Sequence, residues 1–170
     1  MTTIIQGDQV RAVALGIAVE KSASPTNGAV DLFVVSGKVL LVGIVGEVTT
    51  VMSGTTTNLS VQHDPTIGSA AAMCAATEVT SDPVGTLYGF DGANPAVGLT
   101  ATLTHRTIDT GEPTTADAPG TAFAPLGGHS AGIVLAPGVV QQLGSAANTG
   151  VTQWTLLYVP LDDGASVVAA

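Results

Sequence analysis

Residues 151–159 read Val-Thr-Gln-Trp-Thr-Leu-Leu-Tyr-Val, and residues 39–45 read Val-Leu-Leu-Val-Gly-Ile-Val. Both stretches are rich in β-branched and aromatic side chains, which favour extended strands. Apolar residues occupy consecutive positions in each stretch, so each strand would be apolar on both of its faces. Such strands are typical of sheets that are covered on two sides. In a chain of 170 residues we expect another subunit to supply part of the second cover.

Two further stretches alternate between apolar and polar residues. In residues 97–105, Val, Leu and Ala alternate with Gly and Thr, and in residues 58–63 Leu59 and Val61 share one face. This period of two is typical of strands in antiparallel sheets that have one solvated face. Residues 86–90, 131–135 and 139–143 are also predicted to be strands.

Short turn signals separate these predicted strands. They are Ser36-Gly37, Ser53-Gly54, Asp64-Pro65, Asp82-Pro83, Asp91-Gly92, Ala136-Pro137-Gly138 and Asp163-Gly164. The pattern predicts an all-β fold, an antiparallel β-sandwich or jelly-roll-like domain. Residues 9–20 allow a short helix, although their β-branched residues and Gly16 favour a strand or an extended arm equally well.

The chain divides into two parts and one long excursion. Residues 1–28 are predicted to be an extended N-terminal arm and a linker, because residues 22–28 read Ser-Ala-Ser-Pro-Thr-Asn-Gly. Residues 29–170 are predicted to form a single β domain. Residues 107–128 contain three prolines and four glycines and are predicted to be a long loop. Loops of that length in small domains often carry contacts.

The composition is unusually poor in charge. Charged residues make up 10% of the chain and hydrophobic residues 45%, whereas soluble domains carry roughly 25% charged residues. Residues 39–48 form the longest apolar stretch, and it is shorter than the ~20 residues of a spanning helix. Aromatic residues, at 4%, are too few for the girdles of a membrane barrel. We therefore expect no membrane partner, no secretory signal, and a surface largely covered by neighbouring subunits.

The net charge of −9 argues against nucleic-acid binding. A protein surface that binds the phosphate backbone of a nucleic acid needs clustered cationic side chains. The chain has four cationic residues, and they are scattered: Arg11, Lys21, Lys38 and Arg106.

The three histidines, His63, His105 and His129, could join Glu47 in a metal site like that of a cupin-like enzyme. Their spacing matches no metal-ligand motif. His63 and His105 each end an alternating strand and share the parity of its apolar positions. A structural role at the rim of the core is therefore favoured for them.

No other pattern of catalytic or ligand-binding residues stands out. Cys74 is the single cysteine and lies within an alanine-rich run, which favours a small buried side chain. The chain contains no Gly-x-Ser-x-Gly motif and no complete phosphate-binding loop. Its aspartates fit turn caps better than a calcium loop. The sequence therefore predicts no catalytic residues, no cofactor and no metal.

Four segments resemble one class of proteins. They are residues 37–50 (Gly-Lys-Val-Leu-Leu-Val-Gly-Ile-Val-Gly-Glu-Val-Thr-Thr), residues 62–65 (Gln-His-Asp-Pro), residues 83–88 (Pro-Val-Gly-Thr-Leu-Tyr) and residues 150–165, which begin Gly-Val-Thr-Gln-Trp and end Pro-Leu-Asp-Asp-Gly-Ala. Together they make the chain similar to virion structural proteins of tailed bacteriophages, in particular head decoration (capsid cement) and head-fibre proteins. None of these segments is a catalytic signature.

The resemblance implies a non-enzymatic virion protein on the capsid surface. Proteins of that kind are commonly β-rich homotrimers that bind the major capsid protein and stabilise the head. The strands at 39–48 and 151–159 would then form the core and part of a seam between subunits, and the N-terminal arm would lie on a neighbour. The predicted interface residues are Ile4, Ile5, Val10, Leu15, Val42, Ile44, Trp154, Leu156 and Tyr158.

Three alternatives remain at this point. The first is a tail or head-fibre component. The second is a carbohydrate- or cell-surface-binding module, which would need exposed aromatic residues, and the chain contains only Phe33, Tyr88, Phe90, Phe123, Trp154 and Tyr158. The third is the cupin-like metalloenzyme.

Overall fold

The computed structural model describes residues 16–91, 101–107 and 133–170, with only the backbone described for residues 75, 90–91, 101–107 and 133. Within these ranges the chain forms thirteen strands and no helix. The strands are β1 (Ile17–Ala23), β2 (Gly28–Ser36), β3 (Val39–Thr50), β4 (Asn58–Pro65), β5 (Ala71–Ala72), β6 (Cys74–Ala75), β7 (Thr77–Glu78), β8 (Thr86–Asp91), β9 (Ala101–Thr107), β10 (Ile133–Leu135), β11 (Gly138–Gly144), β12 (Val151–Pro160) and β13 (Ser166–Ala169).

The strands form two packed sheets, so the predicted β-sandwich is confirmed. Sheet I has the order β1-β12-β3-β8-β9-β6, and β10 also pairs with β3. Sheet II has the order β13-β2-β11-β4-β5, and β7 also pairs with β4. The described pairings are antiparallel except for β6 with β9, which are parallel. Residues 39–45 and 151–159, which are apolar on both faces, lie in β3 and β12, and these two strands are neighbours in sheet I.

The N-terminal part of the chain contributes a strand to sheet I. Residues 17–23, which fall in the predicted arm, form β1 and pair with β12 from Ile17 opposite Tyr158 to Ala23 opposite Thr152. A helix over residues 9–20 is therefore wrong for residues 17–20. The earlier residues of the predicted arm, 1–15, lie outside the described residues, as do residues 108–128 of the predicted loop.

The predicted reversal at Ser36-Gly37 connects the two sheets. It joins β2 of sheet II to β3 of sheet I, so it crosses the sandwich instead of closing a hairpin. Gly37 has a φ of +73°, and a Cβ at this position would lie 2.7 Å from the Ala165 Cβ. Both observations require glycine here.

Trp154 occupies the centre of the core. Its side chain is fully buried on the inner face of β12, and its ring centroid lies 6.3 Å from that of Tyr88. Trp154 Nε1 donates a hydrogen bond to Gln142 Oε1 at 2.9 Å, and Gln142 Nε2 donates to the Ser24 carbonyl oxygen at 2.8 Å. Because Gln142 lies on β11, this chain of bonds links sheet I to sheet II.

The inner face of β3 is shaped to receive this tryptophan. Gly46 lies opposite Trp154 in the register of β3 and β12. A Cβ at Gly46 would lie 2.8 Å from Trp154 Cζ3 and from Thr152 Cγ2, which is closer than carbon atoms normally approach. Gly46 therefore makes room for the indole ring.

Gly46 and Gly43 lie on opposite faces of β3, so substitutions at these two positions test this packing. We expect Gly46→Ala to destabilise the fold by about 1–3 kcal/mol, because the added methyl group overpacks the core against Trp154. Gly43→Ala is the matched control, because nothing lies within 4 Å of a Cβ at that position. It should be neutral or stabilise the strand by up to about 1 kcal/mol. Urea unfolding at a protein concentration at which the chain is monomeric measures both, so that association does not contribute, and equal effects would contradict the packing described.

Candidate functional site

The outer face of sheet I, which points away from the core, is predominantly apolar. In β12 buried and half-buried residues alternate along the strand, and β3 follows a similar pattern interrupted by a β-bulge. The half-buried positions on the outer side are largely occupied by aliphatic side chains, and Val134 of β10 is 56% exposed. The apolar side chains of this face are Leu40, Val45, Leu87, Val134, Leu157 and Val159. Exposed apolar surface that is contiguous across strands marks an interaction site more often than scattered residues do.

A groove of about 420 Å³ runs across this face. The sheet register explains its composition, because residues directly opposite each other on paired strands share a face. Glu20, Thr155 and Val45 stand in one row across β1, β12 and β3. Gln153, Glu47 and Leu87 stand in the next row, across β12, β3 and β8. The lining of the groove comprises Glu20, Val45, Glu47, Leu87, Gln153, Thr155 and Leu157.

Gly43 leaves the backbone of β3 uncovered beside the groove. It lies opposite Leu157 in the register, and a Cβ added to it would meet no atom within 4 Å. A glycine in the interior of a strand weakens the strand and often marks a place where a ligand or another backbone approaches closely. Here the uncovered backbone is on the outer face, between Leu40 and Val45.

Two glutamates line the groove, and Arg106 of β9 pairs with Leu87 at the end of the row that contains Glu47. Glu47 is exposed on β3, and Glu20 Oε2 accepts a hydrogen bond from Gln153 Nε2 at 3.0 Å. Among the described side chains the ion pair found is the one between Lys38 and Asp162, at 3.9 Å. Within that part of the chain, neither glutamate of the groove has a cation at ion-pair distance.

The outer face of sheet II differs in character. Gln62 Nε2 donates to Gln141 Oε1, and Gln141 Nε2 donates to Asp31 Oδ1, each at 2.7 Å. This ladder of polar side chains crosses β4, β11 and β2. Val34 and Val168, which are paired across β2 and β13, make an exposed apolar corner beside it. Val139 of β11 pairs with Val34 and extends this corner into an apolar row, so the outer face of sheet II combines a polar row with an apolar one.

The predicted interface residues fall in three different places. Four of them are buried in the core of the chain: Ile44, Trp154, Leu156 and Tyr158. These four side chains belong to the core of a single chain and are not part of the outer face of sheet I. Val42 is half-buried at a β-bulge opposite β12. Ile4, Ile5, Val10 and Leu15 lie outside the described residues.

Three outer-face residues that the prediction missed lie on the same two strands. Val45, Glu47 and Leu157 belong to the opposite parity of β3 and β12 from Ile44, Trp154, Leu156 and Tyr158. Residues 39–45 and 156–159 are apolar at consecutive positions and do not indicate which side faces the core. The polar residues Glu47, Gln153 and Thr155 were the available signal, because they share one parity and mark the outer side.

The residues considered for a metal site are not brought together. His63 is on β4 of sheet II, whereas Glu47 is on the outer face of sheet I. His63 Nε2 lies 3.0 Å from the Ala136 carbonyl oxygen, and burial lowers the pKa of His63 from its usual value, although that hydrogen bond opposes the shift. The side chain of His105 and the whole of His129 lie outside the described residues. Among the described side chains no group of three or more His, Cys, Asp or Glu residues could hold a metal.

Cys74 is a structural residue, as predicted. Its side chain is buried, and the Val61 amide donates a hydrogen bond to its Sγ at 3.1 Å. Burial raises the pKa of the thiol to about 11. A thiol with so high a pKa is a poor nucleophile at neutral pH.

Comparisons with protein-family models, curated proteins and solved structures found no match. In the part of the chain that the structure describes, no helix is long and apolar enough to span a membrane.

The reactivity of the Cys74 thiol tests whether its side chain is buried in the core. At about pH 8 we expect iodoacetamide to leave the folded protein unmodified, because the thiol is buried and its thiolate form is rare below its pKa. In concentrated guanidinium chloride the same reagent should add one carbamidomethyl group per chain. Mass spectrometry of the intact protein measures both, and rapid modification of the folded protein would contradict the assigned position of Cys74.

Proposed function

We propose that this chain is a non-enzymatic structural subunit that assembles with copies of itself and with a larger partner. The observation that carries the proposal is the apolar outer face of sheet I. The face combines aliphatic side chains from β3, β8, β10 and β12 with a groove and an uncovered backbone at Gly43. Burying such surface contributes about 25 cal/mol per Å² before the costs of association.

The virion is the setting that we propose for this assembly. The resemblance of residues 37–50, 62–65, 83–88 and 150–165 to tailed-phage virion proteins supports a capsid decoration protein that is a homotrimer and binds the major capsid protein at the capsid surface. The low content of charged residues, 10%, fits a subunit whose surface is widely covered. A tail or head-fibre component would use the same face in a different partner complex.

A carbohydrate-binding module is less well supported. Proteins that bind sugars commonly expose aromatic rings to stack against them, and none of the groove's lining residues is aromatic. The aromatic side chains whose burial the structure describes are Phe33, Tyr88, Trp154 and Tyr158, and all four are buried. A cupin-like enzyme finds no support in the positions of His63 and Glu47, which lie on different sheets.

Charged substitutions on the two outer faces test the proposed assembly surface. We expect Val45→Asp or Leu157→Asp to weaken self-association at least about tenfold, because a carboxylate would be buried without a partner. Val34→Asp is the matched control on sheet II, where the side chain is exposed, and it should leave self-association unchanged. Light scattering over a range of concentrations measures the mass, with a trimer expected for the unsubstituted chain.

Two results would contradict this proposal. One is an unsubstituted chain that stays monomeric at every concentration. The other is a control substitution on sheet II that disrupts assembly as strongly as Val45→Asp. Circular dichroism and unfolding midpoints of the variants show whether each one is folded, so that a loss of assembly is not confused with a loss of structure.

The capsid partner has its own test. The purified chain should co-sediment with shells of the major capsid protein of the virus that encodes it, and it should raise the temperature at which the shells break apart. Leu157→Asp should lose both effects, whereas Val34→Asp should keep them. If the chain self-associates but does not bind the shells, the proposal of an assembly subunit stands and the proposal of a capsid decoration protein is overturned.

A further inference from the structure

We propose that the groove on sheet I receives the hairpin tip of a second copy of the chain, with Ile67 seated against Val45 and Leu157. The hairpin tip is the segment of residues 66–70, which connects β4 to β5 in sheet II. This inference rests on the proposed function, because it names the segment that occupies the proposed assembly surface. Both the groove and the hairpin tip lie within the described residues.

The symmetry of the proposed trimer determines what kind of contact the groove makes. In a closed ring of three chains, each interface joins two different patches, one from each neighbouring chain. The groove therefore does not meet its own copy in such a ring, and a second patch of the same chain must fit it. Because Val45, Leu87 and Leu157 line the groove, the second patch should carry an apolar side chain that projects from the surface.

Ile67 is the side chain that best meets this requirement. It is 92% exposed, whereas the other large apolar side chains of the described residues are at most 58% exposed. An isoleucine that is so fully exposed in a single chain gains from burial against a neighbour. The hairpin tip belongs to sheet II and the groove lies on the outer face of sheet I, so the two surfaces meet only between different chains.

The composition of the hairpin tip suits the groove. Residues 66–70 read Thr-Ile-Gly-Ser-Ala, and the whole stretch of residues 65–77 contains no charged residue. The small residues that follow Ile67 allow the backbone to approach a concave surface closely. The carboxylate, amide and hydroxyl oxygens in the lining of the groove accept hydrogen bonds, and the backbone N–H groups and hydroxyls of the tip donate them. The contact therefore needs no charge from the partner.

The base and the turn of the hairpin tip are fixed within the single chain. The Thr66 amide donates a hydrogen bond to the Pro137 carbonyl oxygen at 2.8 Å, and His63 Nε2 lies 3.0 Å from the Ala136 carbonyl oxygen. Gly68 has a φ of +123°, which residues with a side chain rarely adopt. A segment that is already ordered loses less conformational entropy on binding, and this favours a contact made through few residues.

A double-mutant cycle in the full-length chain tests the contact between Ile67 and Leu157. We expect Ile67→Ala and Leu157→Ala each to weaken self-association about tenfold, and the doubly substituted chain to be weakened little further, because both substitutions remove the same contact. Val84→Ala is the matched control, because Val84 is an exposed apolar side chain in another turn, and it should change self-association by less than about twofold. Sedimentation equilibrium measures the dissociation constants. An effect of Ile67→Ala no larger than that of the control, or independent effects in the double variant, would overturn the contact.

Cross-linking shows which surfaces meet. Cys74 is buried, so it should stay unmodified while introduced cysteines react. Glu47 is exposed and lines the groove, so a mixture of Ile67→Cys chains and Glu47→Cys chains, treated with a short bis-maleimide, should give covalent dimers that contain one chain of each kind. If links form only between two Glu47→Cys chains, the outer faces of sheet I pack against each other and the proposal is overturned. If no mixed dimer forms, the hairpin tip does not occupy the groove.

The outcomes separate this inference from the function on which it rests. If Ile67→Ala assembles as tightly as the unsubstituted chain, and Leu157→Asp does not assemble, then the assembly face stands and the hairpin tip is not its occupant. If the unsubstituted chain is monomeric at every concentration, both the assembly function and the contact of the hairpin tip with the groove are overturned.

Discussion

The burial of Trp154 between the two sheets is the interaction on which the rest of this structure depends. The indole ring fits because Gly46 has no side chain, and its N–H group is satisfied because Gln142 reaches it from the opposite sheet. A buried N–H without an acceptor would cost about 1–3 kcal/mol. The hydrogen bond therefore fixes both the position of β12 and the distance between the sheets at this point. Once the inner face of β12 is set in this way, its remaining side chains must form the outer face of sheet I.

The outer faces of the two sheets carry different side chains. Sheet II carries a ladder of Gln62, Gln141 and Asp31 on its outer side, which water solvates well. Sheet I carries aliphatic side chains on its outer side together with Gly43, Gln153, Thr155 and two glutamates. This difference is the basis on which we propose assembly through sheet I.

Several features of the fold follow from local chemistry alone. The all-β class, the strand at 58–63 with Leu59 and Val61 inside, the buried state of Cys74 and the reversal at Gly37 could all be predicted, because each depends on a period of two, on a turn residue or on a small apolar side chain. Local chemistry could not show that the Gly37 turn crosses between sheets, or that residues 17–23 pair with β12. Those pairings depend on strands that are far apart in the sequence.

The sequence by itself determined that β3 and β12 are strands with apolar side chains on both faces, and that the chain has few charged residues. Only the tertiary structure decided which of those side chains are inside. Ile44, Trp154, Leu156 and Tyr158 were predicted at an interface but are buried in the core, whereas Val45 and Leu157 lie on the outer face. The reason is physical. A strand that alternates between apolar and polar residues indicates which of its sides is buried, whereas residues 39–45 and 156–159 are apolar on both sides and give no such indication. The choice is then made by packing, through the space at Gly46 and the acceptor of Gln142 across the sandwich.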